Sequence, residues 1–239
     1  AAFSNPLARA RWKVSKDAEV GSAGINQQAR FTFTGGAGQF ETTVRVLQEM
    51  TNKYVTDPEV IQFTRRLFNQ TKLRNHDYLG EIGTLVQYFQ GTYTTKTPDD
   101  ELGNPLLIGD RGSYRYQLDP YGAEYFQAPT KVLRDIQAGE SGADCDDIAM
   151  CAACCLAAAG YPAMLAIVDA GQKGAYNHVM LATRTPQPNP KFGDEWFPVE
   201  LIHPFELGQS VKIHSYIPLR VQEWDLTSKE KALIPTAFR

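Results

Sequence analysis

Gly139-Glu-Ser-Gly-Ala-Asp-Cys-Asp-Asp-Ile-Ala-Met-Cys-Ala-Ala-Cys-Cys-Leu-Ala-Ala-Ala-Gly-Tyr-Pro162 reads as a turn, a helix and a stop. Asp144 stands where an N-cap would, with Asp147 three residues on. Gly160 takes the place of a C′ glycine, and Pro162 prevents continuation. Cys145 therefore falls in the first helical turn, where unpaired N–H groups and the positive end of the macrodipole favour a thiolate, the nucleophilic form of cysteine. Asp144, Asp146 and Asp147 work against that negative charge, so a cation is required nearby. Cys151, Cys154 and Cys155 lie inside the helix and read as small core residues. Cys145, which follows a glycine-containing turn and sits among carboxylates, reads as the functional thiol.

Downstream, the periodicity changes from helical to alternating. Ala163 to Asp169 is expected as a strand, Ala170 to Tyr176 as a turn and His178 to Thr183 as a second strand, which together make an antiparallel hairpin. Pro186 to Asp194 reads as a loop. Trp196 to Ile202 reads as a third strand, with Trp196, Pro198, Glu200 and Ile202 on one face. A cysteine at a helix start, a histidine at a strand start and an acid on the next strand suit a nucleophile, a base and a group that orients the base. His203 is an alternative base. Cys151-Ala-Ala-Cys154 sits within a helix and lacks a second ligand pair at metal spacing, so neither zinc binding nor redox chemistry is expected of it. His76 and His214 read as surface residues. Gly35 to Gly38 lacks the lysine and the strand–turn–helix setting of a phosphate loop, and Asp99-Asp100 is too sparse for a calcium loop.

Upstream, three helices are expected: Glu41 to Met50, with Val44, Leu47 and Met50 on a stripe; a second started by Asp57-Pro58-Glu59 and carrying Val60, Thr64, Leu67 and Phe68; and a third from about Asp77 to Gln90, carrying Leu79, Ile82, Val86 and Phe89. Gly80 and Gly83 would let a neighbour approach the third. Thr94 to Ser113 reads as a long loop, Tyr114 to Pro120 as extended, and Thr130 to Gln137 as a short helix. Residues 1–40 read as an N-terminal arm, with strands at Arg9 to Lys16 and Ala29 to Thr34, and residues 41–239 as one domain. A chain of 239 residues with 43% hydrophobic content is large enough for one sizeable core. Its net charge of −3 argues against a nucleic-acid partner. No apolar run approaches the roughly 20 residues a membrane helix needs, and no signal-peptide core is apparent, so neither a membrane nor secretion is expected. All four cysteines fall between positions 145 and 155, leaving no distant pair to bridge, which suits a reducing, cytoplasmic setting.

Tyr114-Arg-Tyr, Asp119-Pro120, Pro129, Gly142-Ala-Asp-Cys-Asp-Asp147, the alanine-rich helix, Ala159-Gly-Tyr-Pro-Ala163, Asn177-His-Val179 and Trp196-Phe-Pro-Val-Glu200 together resemble the transglutaminase-like superfamily of papain-type cysteine enzymes. The resemblance covers about residues 41–205. It implies an α+β fold with a papain/transglutaminase-like core, in which the helix bearing the nucleophilic cysteine packs on an antiparallel sheet. It also implies that Cys145 is the nucleophile, His178 the general base and Glu200 the orienting acid, where the family usually has aspartate. Such a set performs acyl transfer on a protein or peptide amide, such as a glutamine side chain, through a thioester. An oxyanion hole would use the Cys145 N–H with a side-chain donor, for which Gln127 and Gln137 are candidates. No cofactor or metal ion is expected. The Asp-Cys-Asp-Asp form and compact size more weakly resemble the transglutaminase-like proteins of tailed phages. The alternative function that this weaker resemblance implies is a structural or assembly protein, such as one of a virion with a virion partner, that retains the fold.

Overall fold

A helix built of alanine, cysteine and leucine has no polar stripe to turn toward water, so it is stable only when covered on every side. A computed structural model describes residues 19–21, 28–32, 37–71, 73–90, 115–116, 123–138, 142–170, 176–203 and 205–221. Its elements run β1 (Glu19–Gly21), β2 (Gln28–Thr32), α1 (Ala37–Tyr54), α2 (Pro58–Gln70), α3 (Tyr78–Gln90), β3 (Arg115–Tyr116), β4 (Ala123–Gln127), α4 (Pro129–Ala138), β5 (Gly142–Ala143), α5 (Cys145–Ala158), β6 (Ala163–Ala170), β7 (Tyr176–Thr183), β8 (Phe197–Val199) and β9 (Ile213–Arg220). The chain is thus of the mixed α+β class, with helices and an antiparallel sheet. At its centre is α5, touched by α1, α2, α3 and α4 on one side and by β6 and β7 on the other. Cys151, Ala152, Ala153, Cys154 and Cys155 are wholly buried. Small side chains let the surrounding elements approach closely. Met150, Leu156, Leu47, Ile82, Leu85 and Leu133 fill the remaining space.

The ends of α5 obey local chemistry unequally. At its C-terminus Gly160 has φ 88°, a conformation glycine adopts without a Cβ penalty. The N–H groups of Gly160 and Tyr161 donate to the carbonyls of Ala157 and Leu156 at 2.9 and 3.0 Å, closing a Schellman motif. At its N-terminus Asp144 holds the N-cap position in an extended conformation, but its side chain makes no capping hydrogen bond. Asp146 Oδ1 instead accepts from the N–H of Asp147 at 2.8 Å. The expected cap is replaced because Asp146 takes the N–H of Asp147, the donor a cap at Asp144 would use.

The other helices follow their sequence signals with small adjustments. Asp57 caps α2, accepting from Glu59 N at 2.8 Å with Pro58 at the first position, a contribution of about 1 kcal/mol. Val60, Phe63 and Thr64 are buried, while Leu67 and Phe68 lie at the margin. The first helix is longer at both ends than Glu41 to Met50; at its C-terminal end Thr51 and Tyr54 are also buried and extend its packed stripe. The expected role of the glycines in α3 is not the observed one. A Cβ at Gly80 would meet the Asp77 carboxylate at 2.6 Å, and one at Gly83 would meet nothing within 4 Å. Gly80 makes room for Asp77, which accepts from its N–H at 3.0 Å.

The larger sheet has the order β8-β7-β6-β9, with every adjacent pair antiparallel. Ala163, Leu165 and Ile167 of β6 join the core around α5; Met164, Ala166, Val168 and Ala170 join a second cluster with Met180, Ala182, Trp196 and Val211. Burial on both faces explains why β6 reads as a continuous apolar run rather than an alternating one. The strand β9 was not expected from the sequence. Its Pro218 lies opposite Ala166 on an edge of the sheet, where a missing N–H costs no ladder bond. In the segment read as an arm, β2 pairs with β4 from Gln28↔Gln127 to Thr32↔Ala123, so this strand is continuous with the chain that enters α4. The expected strand at Arg9 to Lys16 and the loop from Thr94 to Ser113 lie outside the described residues.

Candidate active site

Three elements converge at the N-terminus of α5. Cys145 is its first residue and is half-buried. His178 comes from β7, and Glu200 follows the last residue of β8 directly. His178 Nε2 and Glu200 Oε2 are 3.0 Å apart, and the Cys145 thiol shares a hydrogen bond with the His178 ring. Because Nε2 serves Glu200, Nδ1 is the ring nitrogen left for the thiol. Relative exposures of 8% for His178 and 2% for Glu200 leave Cys145 as the member of the set that reaches the surface.

Local features fix each member. A register shift lies between Val168 and Asp169, where β6 faces the start of β7. Asn177 spans it, its Oδ1 accepting from Ala170 N at 3.0 Å and its Nδ2 donating to Ala170 O at 3.1 Å. The amide reproduces a ladder pair and fixes the backbone immediately before His178. The expected strand Trp196 to Ile202 stops at Val199, because the Glu200 carboxylate folds back on its own chain: Oε1 accepts from Leu201 N at 2.9 Å and Ile202 N at 3.1 Å. Those bonds and the one to His178 use both oxygens of a carboxylate that would otherwise be costly to bury.

The electrostatics follow. Burial alone would lower the His178 pKa. The Glu200 carboxylate and the hydrogen bonds to Cys145 and Glu200 outweigh it, holding the ring as an imidazolium with a pKa pushed up to about 10. Burial would raise the Glu200 pKa, but the charge and hydrogen bond of His178, the nearby His203 and the Ile202 N–H bring it below the ordinary value. The cation required by the sequence reading is therefore His178. Cys151 and Cys154 differ in kind: burial raises both thiols well above the ordinary value, and their sulfurs contact the carbonyls of Pro129 at 3.4 Å and Thr51 at 3.3 Å.

The two oxyanion candidates serve other ends. Gln127 Nε2 donates to Gly142 O at 2.7 Å and Asp147 Oδ2 at 2.9 Å, and its backbone N–H donates to Asp147 Oδ1 at 2.6 Å. Both side-chain hydrogens are thus committed, and the residue braces the turn before Cys145. Gln137 is exposed near the end of α4. The backbone N–H of Cys145, at the first position of its helix, has no intrahelical acceptor and remains available as an oxyanion donor.

His203 is buried, with its ring centroid 5.7 Å from that of His178 in an edge-on arrangement. Since His178 already contacts both Cys145 and Glu200, His203 stands behind the set rather than replacing its base. Among the described residues two groups could hold a metal ion, each with ligand atoms within 4.8 Å of one another: His178, Glu200 and His203, and the three carboxylates Asp144, Asp146 and Asp147. A metal in the first would have to displace the hydrogen bond between His178 and Glu200. In the second, Asp147 is already bound by Gln127, while Asp144 Oδ1 is buried without a hydrogen-bond partner. Burial and the adjacent carboxylates of Asp144 and Asp147 push the Asp146 carboxyl well above its ordinary value. Sequence reasoning missed Asn177 as a brace, and it missed Gln90 altogether. Gln90 lies 110 residues from Glu200, beyond the reach of any local pattern.

No protein-family model matches the chain, and no curated protein matches it in sequence. No helix among the described residues is long and apolar enough to cross a membrane.

Proposed function

We propose that the chain is a cysteine-dependent amide hydrolase or transamidase with a transglutaminase-like, papain-type core, and that Cys145, His178 and Glu200 form its catalytic triad. The observation that carries this reading is His178, which is held between a buried carboxylate 3.0 Å away and a thiol at a helix N-terminus. A packed histidine needs no such pair. In the reaction, Cys145 Sγ attacks a carboxamide carbonyl, forming a carbon–sulfur bond, and the resulting oxyanion is met by the Cys145 N–H. The carbon–nitrogen bond then breaks, and the amine leaves with the proton supplied by His178. Water or a primary amine next gives a proton to His178 as it attacks the thioester, and the sulfur departs as the thiolate. Glu200 keeps Nε2 protonated throughout, so that Nδ1 is the nitrogen that exchanges the proton. The half-buried thiol above a buried His–Glu pair suits an amide presented on a protein or peptide.

The reading is tested by alkylation with iodoacetamide at pH 6.5. Cys145 should react much faster than a free thiol such as glutathione, and His178→Ala should abolish the advantage while the protein stays folded by circular dichroism. If Cys145 reacts no faster than glutathione and is indifferent to His178→Ala, the triad reading fails. A structural or assembly role for the fold then takes its place.

A further inference from the structure

Gln90 is the last residue of α3. Its Nε2 donates to the carbonyl oxygens of Glu200 and His203, both at 2.9 Å, and approaches that of Phe205 at 3.3 Å. An amide nitrogen carries two hydrogens, so the third contact is a shared one. All three carbonyls belong to the turn that follows β8. Within this turn, Glu200 Oε1 collects the Leu201 and Ile202 N–H groups, and Phe205 N donates to His203 O at 2.8 Å. Such internal bonds set the shape of the turn but not its place relative to β7. The ladder between β7 and β8 ends at Leu181↔Val199, so the Glu200 backbone receives no strand pairing. The tie from Gln90 connects it to the helical layer instead. Both Glu200 and His203 are buried, and both side chains lie against His178, one by a 3.0 Å hydrogen bond and the other by its ring.

We propose that Gln90 is a positioning residue: by fixing the carbonyls of Glu200, His203 and Phe205 it keeps the Glu200 carboxylate on His178 Nε2 and the His203 ring beside the same imidazole. The functional significance rests on the reading of Cys145, His178 and Glu200 as a catalytic triad, but the hold on His178 can be measured without any catalysis. An unanchored turn lets the carboxylate draw back by fractions of an ångström. Both the attraction and the hydrogen bond that hold the proton on His178 fall with distance.

Gln90→Met keeps an unbranched side chain of similar length but removes the donors. Two measurements are made on the wild type, on this variant and on Ile82→Val, a mild truncation of a buried residue elsewhere in α3. The first is the titration of the His178 ring by NMR, assigned with His178→Ala; the second is the rate of Cys145 alkylation at pH 6.5. Gln90→Met should move the His178 titration down from about 10 and slow alkylation by about tenfold or more, the effect of roughly one lost hydrogen bond to a charged group. Ile82→Val should lower the melting temperature and leave both readouts alone. If Gln90→Met melts lower but titrates and reacts as the wild type does, Gln90 is merely structural and the proposal is overturned. Should that variant not fold, Gln90→Asn, which keeps an amide but withdraws it by one methylene, is read in the same two ways. A wild-type Cys145 no faster than glutathione would refute the triad reading alone, since the His178 titration still reports on Gln90.

Discussion

Replacing Glu200 by glutamine removes a charge while leaving the shape of the site. Gln Oε1 can still accept from the Leu201 and Ile202 N–H groups, which the native Oε1 does at 2.9 and 3.1 Å. Only the atom facing His178 Nε2 changes character, from acceptor to donor. In the native protein the ring holds its proton up to about pH 10 against an ordinary value of 6.5. That difference corresponds to at most about 5 kcal/mol, and the Glu200 carboxylate supplies the largest favourable part. Without the carboxylate, burial should carry His178 to 6.5 or below. A folded value above the unfolded one stabilises the protein fully below pH 6.5, and this contribution is lost as the pH rises from 6.5 to about 10. Glu200→Gln should therefore be less stable than the wild type at pH 6 by several kcal/mol, and the gap should narrow steadily across that window. Urea denaturation of both proteins at pH 6, 7, 8, 9 and 10 measures it, and comparing the two cancels the titration of other groups. At pH 6.5 alkylation of Cys145 should also slow by at least a hundredfold, since the ring loses its charge and adopts the wrong tautomer. A gap independent of pH, or a wild-type His178 that titrates near 6.5, would refute the reasoning.

Other consequences are as direct. Burial and like charge hold the Asp146 carboxyl above its ordinary value, so its contribution is present at low pH and lost as the pH rises; Asp146→Asn should raise the melting temperature at pH 7 by about 3 °C or more and change it little at pH 4. A lower melting temperature at pH 7 would refute a destabilising Asp146 carboxylate. Asn177→Ala removes both hydrogen bonds to Ala170; it should cost about 1–2 kcal/mol and slow Cys145 alkylation, and an unchanged rate would place His178 independently of the register shift. Of the four cysteines, Cys145 alone should react promptly with Ellman's reagent in the native protein, and all should react in denaturant. Prompt reaction of Cys154, whose thiol is buried against Thr51 O, would contradict the packing of α5.

What could be read from the sequence was what local chemistry decides. Asp57-Pro58 and Gly160 act on backbone groups within a turn of themselves, and both α2 and the end of α5 follow them. The antiparallel pairing of β6 with β7 was legible for a similar reason, since both strands lie in one short stretch. Where several local rules compete, the sequence does not say which wins. Asp144 occupies a capping position but makes no capping bond, because Asp146 takes the Asp147 N–H that such a cap would use. Alternation from Trp196 to Ile202 suggested a strand through Glu200, yet the carboxylate binds its own following N–H groups and ends the strand at Val199. That bend serves the site: a longer strand would require pairing of the Glu200 backbone, whereas the turn frees its carbonyl for Gln90 and aims the carboxylate at His178. Gln90 and Gln127 show the limit from the other side. Both are amides whose donors are fully used on partners 15 to 115 residues away, and nothing in their neighbourhoods distinguishes them from a surface glutamine. A candidate catalytic side chain stands out by its type and spacing, but the residues that hold it still are chosen by whichever element the fold happens to bring alongside.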